Sequence, residues 1–338
     1  MPLTPMRQIL DEAAKGRYGV GAYNVNNMEQ IQAIMQAARE TQSPLIVQAS
    51  HGALKYSNMI YLKHLMDAAM EESPEIPVAV HLDHGPDMAT VKEAIALDFS
   101  SVMIDGSLDY SKKTASGAHP ARSFEDNMRV TREVVDYAHA RGVTVEGELG
   151  TLGGIEDDTV AETTHLTDPN QVEEFVARTG VDALAIAIGT SHGAYKFKHE
   201  PKLAIDLVGQ IHQRVPNVRL VMHGSSSVPK ELVDEVNKYG GKLQQTMGVP
   251  VAAIQDAISR GINKINVDTD GRLVVTAAIR KVFAESPKEF DPRKYLGPAR
   301  DALAKLIAGR MKAFGTAGHA KDYKPMSLAD MKQVYAKG

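Results

Sequence analysis

The sequence predicts a closed (β/α)8 barrel, the TIM-barrel class of α/β fold, on three observations. Eight short β-rich runs occur, at 19–23, 44–49, 77–82, 99–104, 143–148, 182–188, 218–222 and 262–267. Stretches of helical period lie between them, an alternation that reads as parallel strands covered on both faces. Polar residues able to do chemistry fall where successive apolar runs stop, and in a barrel those ends meet on one face. An open doubly wound sheet is the alternative. No G-x-G-x-x-G follows the first strand, no P-loop occurs, and Gly150, Gly153 and Gly154 are too few to make a nucleotide loop.

In chain order, Thr4 and Pro5 open a helix as N-cap and first helical residue, and Gly16 ends it. Amphipathic helices are expected over 28–41, 57–71, 86–97, 123–141, 170–179, 202–214 and 251–260. Two insertions extend the minimal barrel. One spans 149–169 and is rich in Gly, Asp and Thr. The other spans 224–250, where Ser227, Pro229 and Glu231 suggest a capped helix ending near Gly240-Gly241. Loops of this length are often lids or binding elements. After the last strand come a helix over 272–284, a turn over 287–298, a helix over 299–314 and a peripheral C-terminal extension. With no repeat and no linker, residues 1–338 read as one domain.

The 338 residues include twelve histidines but neither cysteine nor tryptophan. Disulfides, iron–sulfur clusters, thiolate zinc sites and cysteine nucleophiles are therefore excluded, leaving any metal to histidine and carboxylate. With 38 basic and 42 acidic residues, a net charge of −4 gives no general attraction to nucleic acid or anionic membrane. The start lacks a secretory pattern, and no apolar run reaches the roughly twenty residues that cross a bilayer. A cytoplasmic protein is expected.

The third strand, PVAVHLDH, delivers Asp83 and His84 at its end; the fourth ends at Asp105 and the fifth at Glu148. His192 follows the sixth, His223 ends the seventh, and Asn266, Asp268 and Thr269 close the eighth. Taken singly, each reads as a helix cap or solvated loop residue. Together, His84, His192 and His223 can give three nitrogens to Zn²⁺, with Asp105 and Glu148 orienting them or holding a second metal position. His81 alternates onto the side of Asp83 as packed support, and His51 could line the mouth. His64, His139, His212 and His319 read as ordinary structural histidines. The turns His192-Gly193 and His223-Gly224-Ser225-Ser226, with Asn266 to Thr269, expose backbone amides that favour phosphate. Tight βα turns without a ligand are the plainer reading of the same segments.

The segments YGVGAYNVNN, VAVHLDHG, VEGELGTLGGIEDD, IAIGTSHGAY, LVMHGSSS, INKINVDTD and FDPRKYL resemble the class II, metal-dependent fructose-bisphosphate aldolases over nearly the whole chain. The branch associated with the Calvin cycle is the most similar. The resemblance implies Zn²⁺ on His84, His192 and His223, with Glu148 and Asp105 at an adjacent divalent-metal position and a monovalent cation of unassigned identity. It makes Asp83 the acid/base on the C4 hydroxyl and Glu156 the group that handles the C3 proton. Gly193, Gly224, Ser225, Ser226, Asn266, Val267, Asp268 and Thr269 are implied to grip dihydroxyacetone phosphate, with Asn266 also orienting the enediolate oxygen. Asn24 and Ser50 would lie near the open-chain sugar, and Arg293 would reach the distal phosphate, sometimes across a subunit boundary. Implied partners are phosphorylated ketoses and triose phosphates, in a homodimer or homotetramer.

Competing readings stay open here. Sedoheptulose- or tagatose-bisphosphate aldolases would use the same dihydroxyacetone phosphate half. Lys264, on the last strand, raises a Schiff-base route, although it would leave the histidines unexplained. A metal-dependent hydrolase and a non-catalytic phosphate-binding barrel complete the alternatives.

Overall fold

The structure is a computed structural model that describes residues 3–156, 159–161, 164–193, 197 and 201–337. Among them, eight parallel strands close into a barrel: β1 (Val20–Asn24), β2 (Leu45–Ser50), β3 (Val78–Gly85), β4 (Ser101–Ile104), β5 (Thr144–Leu149), β8 (Ala183–Ile186), β9 (Arg219–Met222) and β10 (Ile262–Val267). β1 pairs with both β2 and β10, which closes the ring. Inside the first insertion, β6 (Gly154–Glu156) and β7 (Thr159–Ala161) form an antiparallel hairpin.

Period-two alternation divides each strand between two environments. Outward residues such as Val47, Val80, Leu82, Val145, Ile186, Leu220 and Ile265 join the large core under the surrounding helices. Inward residues of the lower barrel are small or apolar: Val20, Ala22, Ile46, Ala79, Met103, Ala183, Ala185 and Val221. Met6, Ile9, Leu10 and Ala13 of α1 (Met6–Gly16) pack into the same cluster and plug that end. The upper barrel interior is polar.

Several helices begin where short polar residues accept a backbone N–H. Asn27 caps α2 (Met28–Thr41), Asp87 caps α5 (Met88–Ala96), Ser123 caps α6 (Phe124–His139) and Asp168 caps α7 (Pro169–Thr179). Thr4 is not the cap of α1. Pro5 holds that position, and the Thr4 N–H donates to the Val78 carbonyl, tying the segment to β3. The helix expected over 57–71 is α4 (Met59–Glu72), which Asn58 opens at φ 62° by accepting from the Ile60 N–H, and a separate short helix, α3 (His51–Ser57), precedes it. Beyond β8, α8 (Ile205–Arg214) precedes β9, and α9 (Lys230–Lys238) starts from Pro229 without a side-chain cap. Ser227 and Val228 instead donate their N–H groups to Asp270.

α10 (Val251–Arg260) precedes β10, and α11 (Thr269–Glu285) starts three residues earlier than the sequence suggests. The expected turn over 287–298 is largely helix: α12 (Pro292–Phe314) opens on Asp291 and Pro292 and carries Pro298 inside it. An internal proline costs about 3 kcal/mol. Burial of Leu303, Ala304, Ile307, Met311 and Phe314 in the main core offsets that cost. The C-terminal extension carries a 3-10 turn at His319–Lys321 and α13 (Leu328–Tyr335). Tyr335 donates to Asp182 at 2.9 Å and stacks on His139 at the plugged end. No described helix is long and apolar enough to cross a membrane.

Gly142 joins α6 to β5 at φ 76°, where an added Cβ would lie 1.9 Å from the Leu328 carbonyl oxygen. Gly142→Ala should lose about 1–3 kcal/mol of stability in denaturant unfolding. Limited proteolysis should show the α13 segment cut faster, and unchanged cleavage there would refute the docking role.

Candidate metal centre and active site

At the C-terminal mouth of the barrel, β3, β9 and the segment after β8 bring three histidines together. Adjacent strand residues ordinarily face opposite ways, yet Asp83 and His84 both serve the mouth. His84 adopts φ 48°, and the β3–β4 register shifts between Leu82 and Gly85. This local irregularity turns the imidazole toward the site. One nitrogen from each of His84, His192 and His223 lies within 4.8 Å of the others. His84 Nε2 and His223 Nδ1 are 2.9 Å apart, near the roughly 3.3 Å between ligands of a tetrahedral zinc with bonds of about 2.0–2.1 Å. The donor set and its spacing therefore fit a divalent metal. A second group of His84, Asp105 and Glu148 meets the same distance criterion.

Asp83 is fully buried beside this cluster. Its Oδ2 accepts from Asn24 Nδ2 at 3.1 Å and Gln48 Nε2 at 3.0 Å, and its Oδ1 accepts from Asn266 Nδ2 at 3.2 Å. Three neutral amides thus fix the carboxyl without placing a cation on it. Ser50, opposite Asp83 in the β2–β3 register, caps α3 through Ala53.

The layer below is ionic. Glu146 accepts from His223 Nε2 at 2.7 Å and pairs with Lys264 Nζ at 2.9 Å, all three without exposed surface. Burial pushes the Glu146 carboxyl upward, but Lys264 and then His223 outweigh it and hold it far below the usual range. His81 donates or accepts at Ser101 Oγ and lies 3.5 Å from Glu146. Burial, then Lys264, depress its pKa well below the ordinary imidazole value. A Schiff base at Lys264 would require freeing an amine that is wholly buried and paired with Glu146 and Asn266.

Gly224 turns the chain after His223 at φ 62°, and an added Cβ would meet the Ser191 carbonyl oxygen at 2.6 Å. That contact seats the His223 turn against the segment bearing His192 and Gly193. Ser225 Oγ donates back to the Met222 carbonyl, while Ser226 Oγ accepts from the Asp268 N–H at 3.2 Å. Val267 and Asp268 lead directly into Thr269, the first residue of α11, so the turns after β9 and β10 meet at a helix N-terminus. Asp270, buried and paired with Arg310 at 2.8 Å, holds the 227–228 backbone in place.

The hairpin reaches the same mouth: the His192 N–H donates to the Gly153 carbonyl, and Gly154 bridges to His192. Glu156 ends β6, and its side chain lies outside the described residues. Arg293 is not brought into the cluster within this chain; its side chain is 89% exposed and pairs with Asp291 at the start of α12.

Gln48, Glu146, Asp270 and Arg310 join the site beyond the residues at the strand ends. For the first two a signal exists: Gln48/Ser50, His81/Asp83, Glu146/Glu148 and Lys264/Asn266 are polar pairs two residues apart on one strand, hence on one face. Asp270 and Arg310 meet only through the packing of α11 against α12.

Burial raises the Asp105 carboxyl, but His84, Ser107 and Tyr110 more than compensate and leave it at about 2, below its ordinary 3.8. Its stabilising contribution is present above about pH 3.8 and fades as pH falls toward 2. Asp105→Asn should therefore narrow the stability difference from the parent across that interval in acid-unfolding curves. A difference independent of pH there would contradict the assignment.

The family model for "Fructose-bisphosphate aldolase class-II" matches residues 4–319. A fructose-bisphosphate aldolase from Giardia intestinalis is 58% identical over 99% of this chain and 100% of its own. One from Nostoc commune is 52% identical over 100% of this chain and 97% of its own. Among solved structures, the YdjI aldolase from Escherichia coli K12 superposes with TM-score 0.74 at 29% identity, covering 94% of this chain and 100% of that one. A putative fructose-1,6-biphosphate aldolase from Coccidioides immitis gives TM-score 0.75 at 28% identity, over 95% and 99% respectively. Barrel, mouth and relatives agree: the chain belongs to the class-II fructose-bisphosphate aldolase family.

Proposed function

We propose that the protein cleaves fructose 1,6-bisphosphate reversibly to dihydroxyacetone phosphate and glyceraldehyde 3-phosphate, with zinc as its metal. The observation that carries this reading is Asp83, held by three amides beside the three-histidine cluster at one barrel mouth. Zinc on His84, His192 and His223 would supply Lewis-acid polarisation of the ketose carbonyl. Asp105 and Glu148 are the residues for an adjacent metal position.

In the cleavage direction, Asp83 accepts the C4 hydroxyl proton as the C3–C4 bond breaks. Asn24, Gln48 and Asn266 keep its carboxylate oxygens aimed at that hydroxyl. The Asn266 amide also donates toward the substrate oxygen, and Ser50 borders the aldehyde half. Glu156, at the tip of β6, returns a proton to C3, and synthesis reverses these steps. The backbone of Gly193, Gly224, Ser225 and Ser226 grips one phosphate together with Val267, Asp268 and Thr269 at the α11 N-terminus. Arg293, exposed and paired with Asp291 in its own chain, serves the distal phosphate from a neighbouring copy, in a homodimer or homotetramer.

Chelation should abolish cleavage, added Zn²⁺ should restore it, and borohydride with substrate should leave Lys264 unmodified. Asp83→Ala should lower kcat by about 10²–10⁴ while zinc content stays constant. A coupled assay of fructose, tagatose and sedoheptulose bisphosphates, with and without chelator, measures both points. Cleavage persisting in metal-free protein would sink the zinc reading, and preferred turnover of another bisphosphate would reassign the substrate.

A further inference from the structure

We infer that Lys264 is a positioning residue: from beneath the site it fixes both which nitrogen of His223 faces the metal and which way the Asn266 amide points. This rests on the reading of His223 as a zinc ligand and Asn266 as an amide donor. Lys264 Nζ lies 2.9 Å from Asn266 Oδ1 and 2.9 Å from Glu146 Oε2, in a layer without solvent exposure.

An ammonium can only donate, so the Asn266 amide must present its oxygen to Lys264. Its NH2 is then turned the other way, 3.2 Å from Asp83 Oδ1 and 3.1 Å from His223 Nδ1. Glu146, ion-paired with Lys264, can only accept, so His223 Nε2, 2.7 Å away, carries the ring hydrogen. The lone pair is left on Nδ1, the atom 2.9 Å from His84 Nε2 in the histidine cluster. His81 lies on the far side of Glu146 at 3.5 Å and bonds Ser101 Oγ at 2.8 Å. One buried cation thus dictates two hydrogen-bond polarities that the reaction requires. With an apolar residue at 264, Asn266 could flip its amide, and an uncharged partner at 146 could bond either tautomer of His223.

The first test needs no substitution. In the zinc-loaded full chain labelled with ¹⁵N-histidine, His223 should show a protonated Nε2 and a zinc-bound Nδ1; the reverse arrangement overturns the inference. The second uses the double variant Lys264→Met with Glu146→Gln, which removes both buried charges and so avoids stranding a carboxylate in the core. Competition with a chromogenic chelator should show Zn²⁺ affinity about 10–100-fold weaker. At saturating zinc, kcat should fall by at least about 10-fold with the KM for fructose 1,6-bisphosphate shifted less than about threefold, the pattern of lost orientation rather than lost binding. A folded double variant that binds zinc and turns over within about threefold of the parent overturns the inference. Unsubstituted protein that neither binds zinc nor cleaves the bisphosphate would defeat the aldolase reading itself, a distinguishable failure.

Discussion

The Glu146–Lys264 ion pair, fully buried in the barrel interior, is the interaction on which the site depends. Taking a carboxylate and an ammonium out of water costs several kcal/mol per ion after relaxation, recovered only when geometry and hydrogen bonding are good. Here each charge has a further polar partner, His223 for the carboxylate and Asn266 for the ammonium. The pair therefore links the His223 imidazole of the histidine cluster to the amide that touches Asp83. It also separates two interiors. Below it lies the apolar plug formed with α1, and above it the polar mouth.

That division lets one closed sheet serve stability and chemistry together. The plugged end packs Ala22, Ala79, Ala183 and Ala185 against Met6, Ile9 and Leu10, while the C-terminal extension pins Asp182 through Tyr335. Irregular backbone is confined to the mouth. His84 in a left-handed conformation and the register shift beside it depart from ideal strand geometry. A residue so placed costs about 1–3 kcal/mol and persists because its surroundings determine it. The rigid barrel supplies those surroundings.

Net charge and phosphate chemistry do not conflict. The chain carries −4 overall, yet the turns after β9 and β10 converge on the N-terminus of α11, where the helix dipole favours anions over a short range. Asp270 and Arg310 stabilise this region from behind by holding the 227–228 backbone. Recognition of this kind is set by local dipoles at a few ångströms, where the distant surface charge is screened.

Strand alternation and the residues at strand ends made the barrel, the three histidines, Asp83 and Asn266 legible from sequence, because period two and the common direction of parallel strands are local properties. The caps were less legible: Thr4 and Ser227 carry the local cap signature, yet Pro5 and Pro229 occupy those positions while the Thr4 and Ser227 N–H groups bond elsewhere. The sequence misleads where long-range packing overrides local preference. Pro298 reads as a stop, but the buried face of α12 carries the helix through it. Thus the sequence by itself determined the fold class and the gathering of three histidines at one mouth. Only the tertiary structure decided their partners. That Nε2 of His223 meets Glu146, and that Oδ1 of Asn266 meets Lys264, depends on strands over a hundred positions apart in sequence coming together across the barrel.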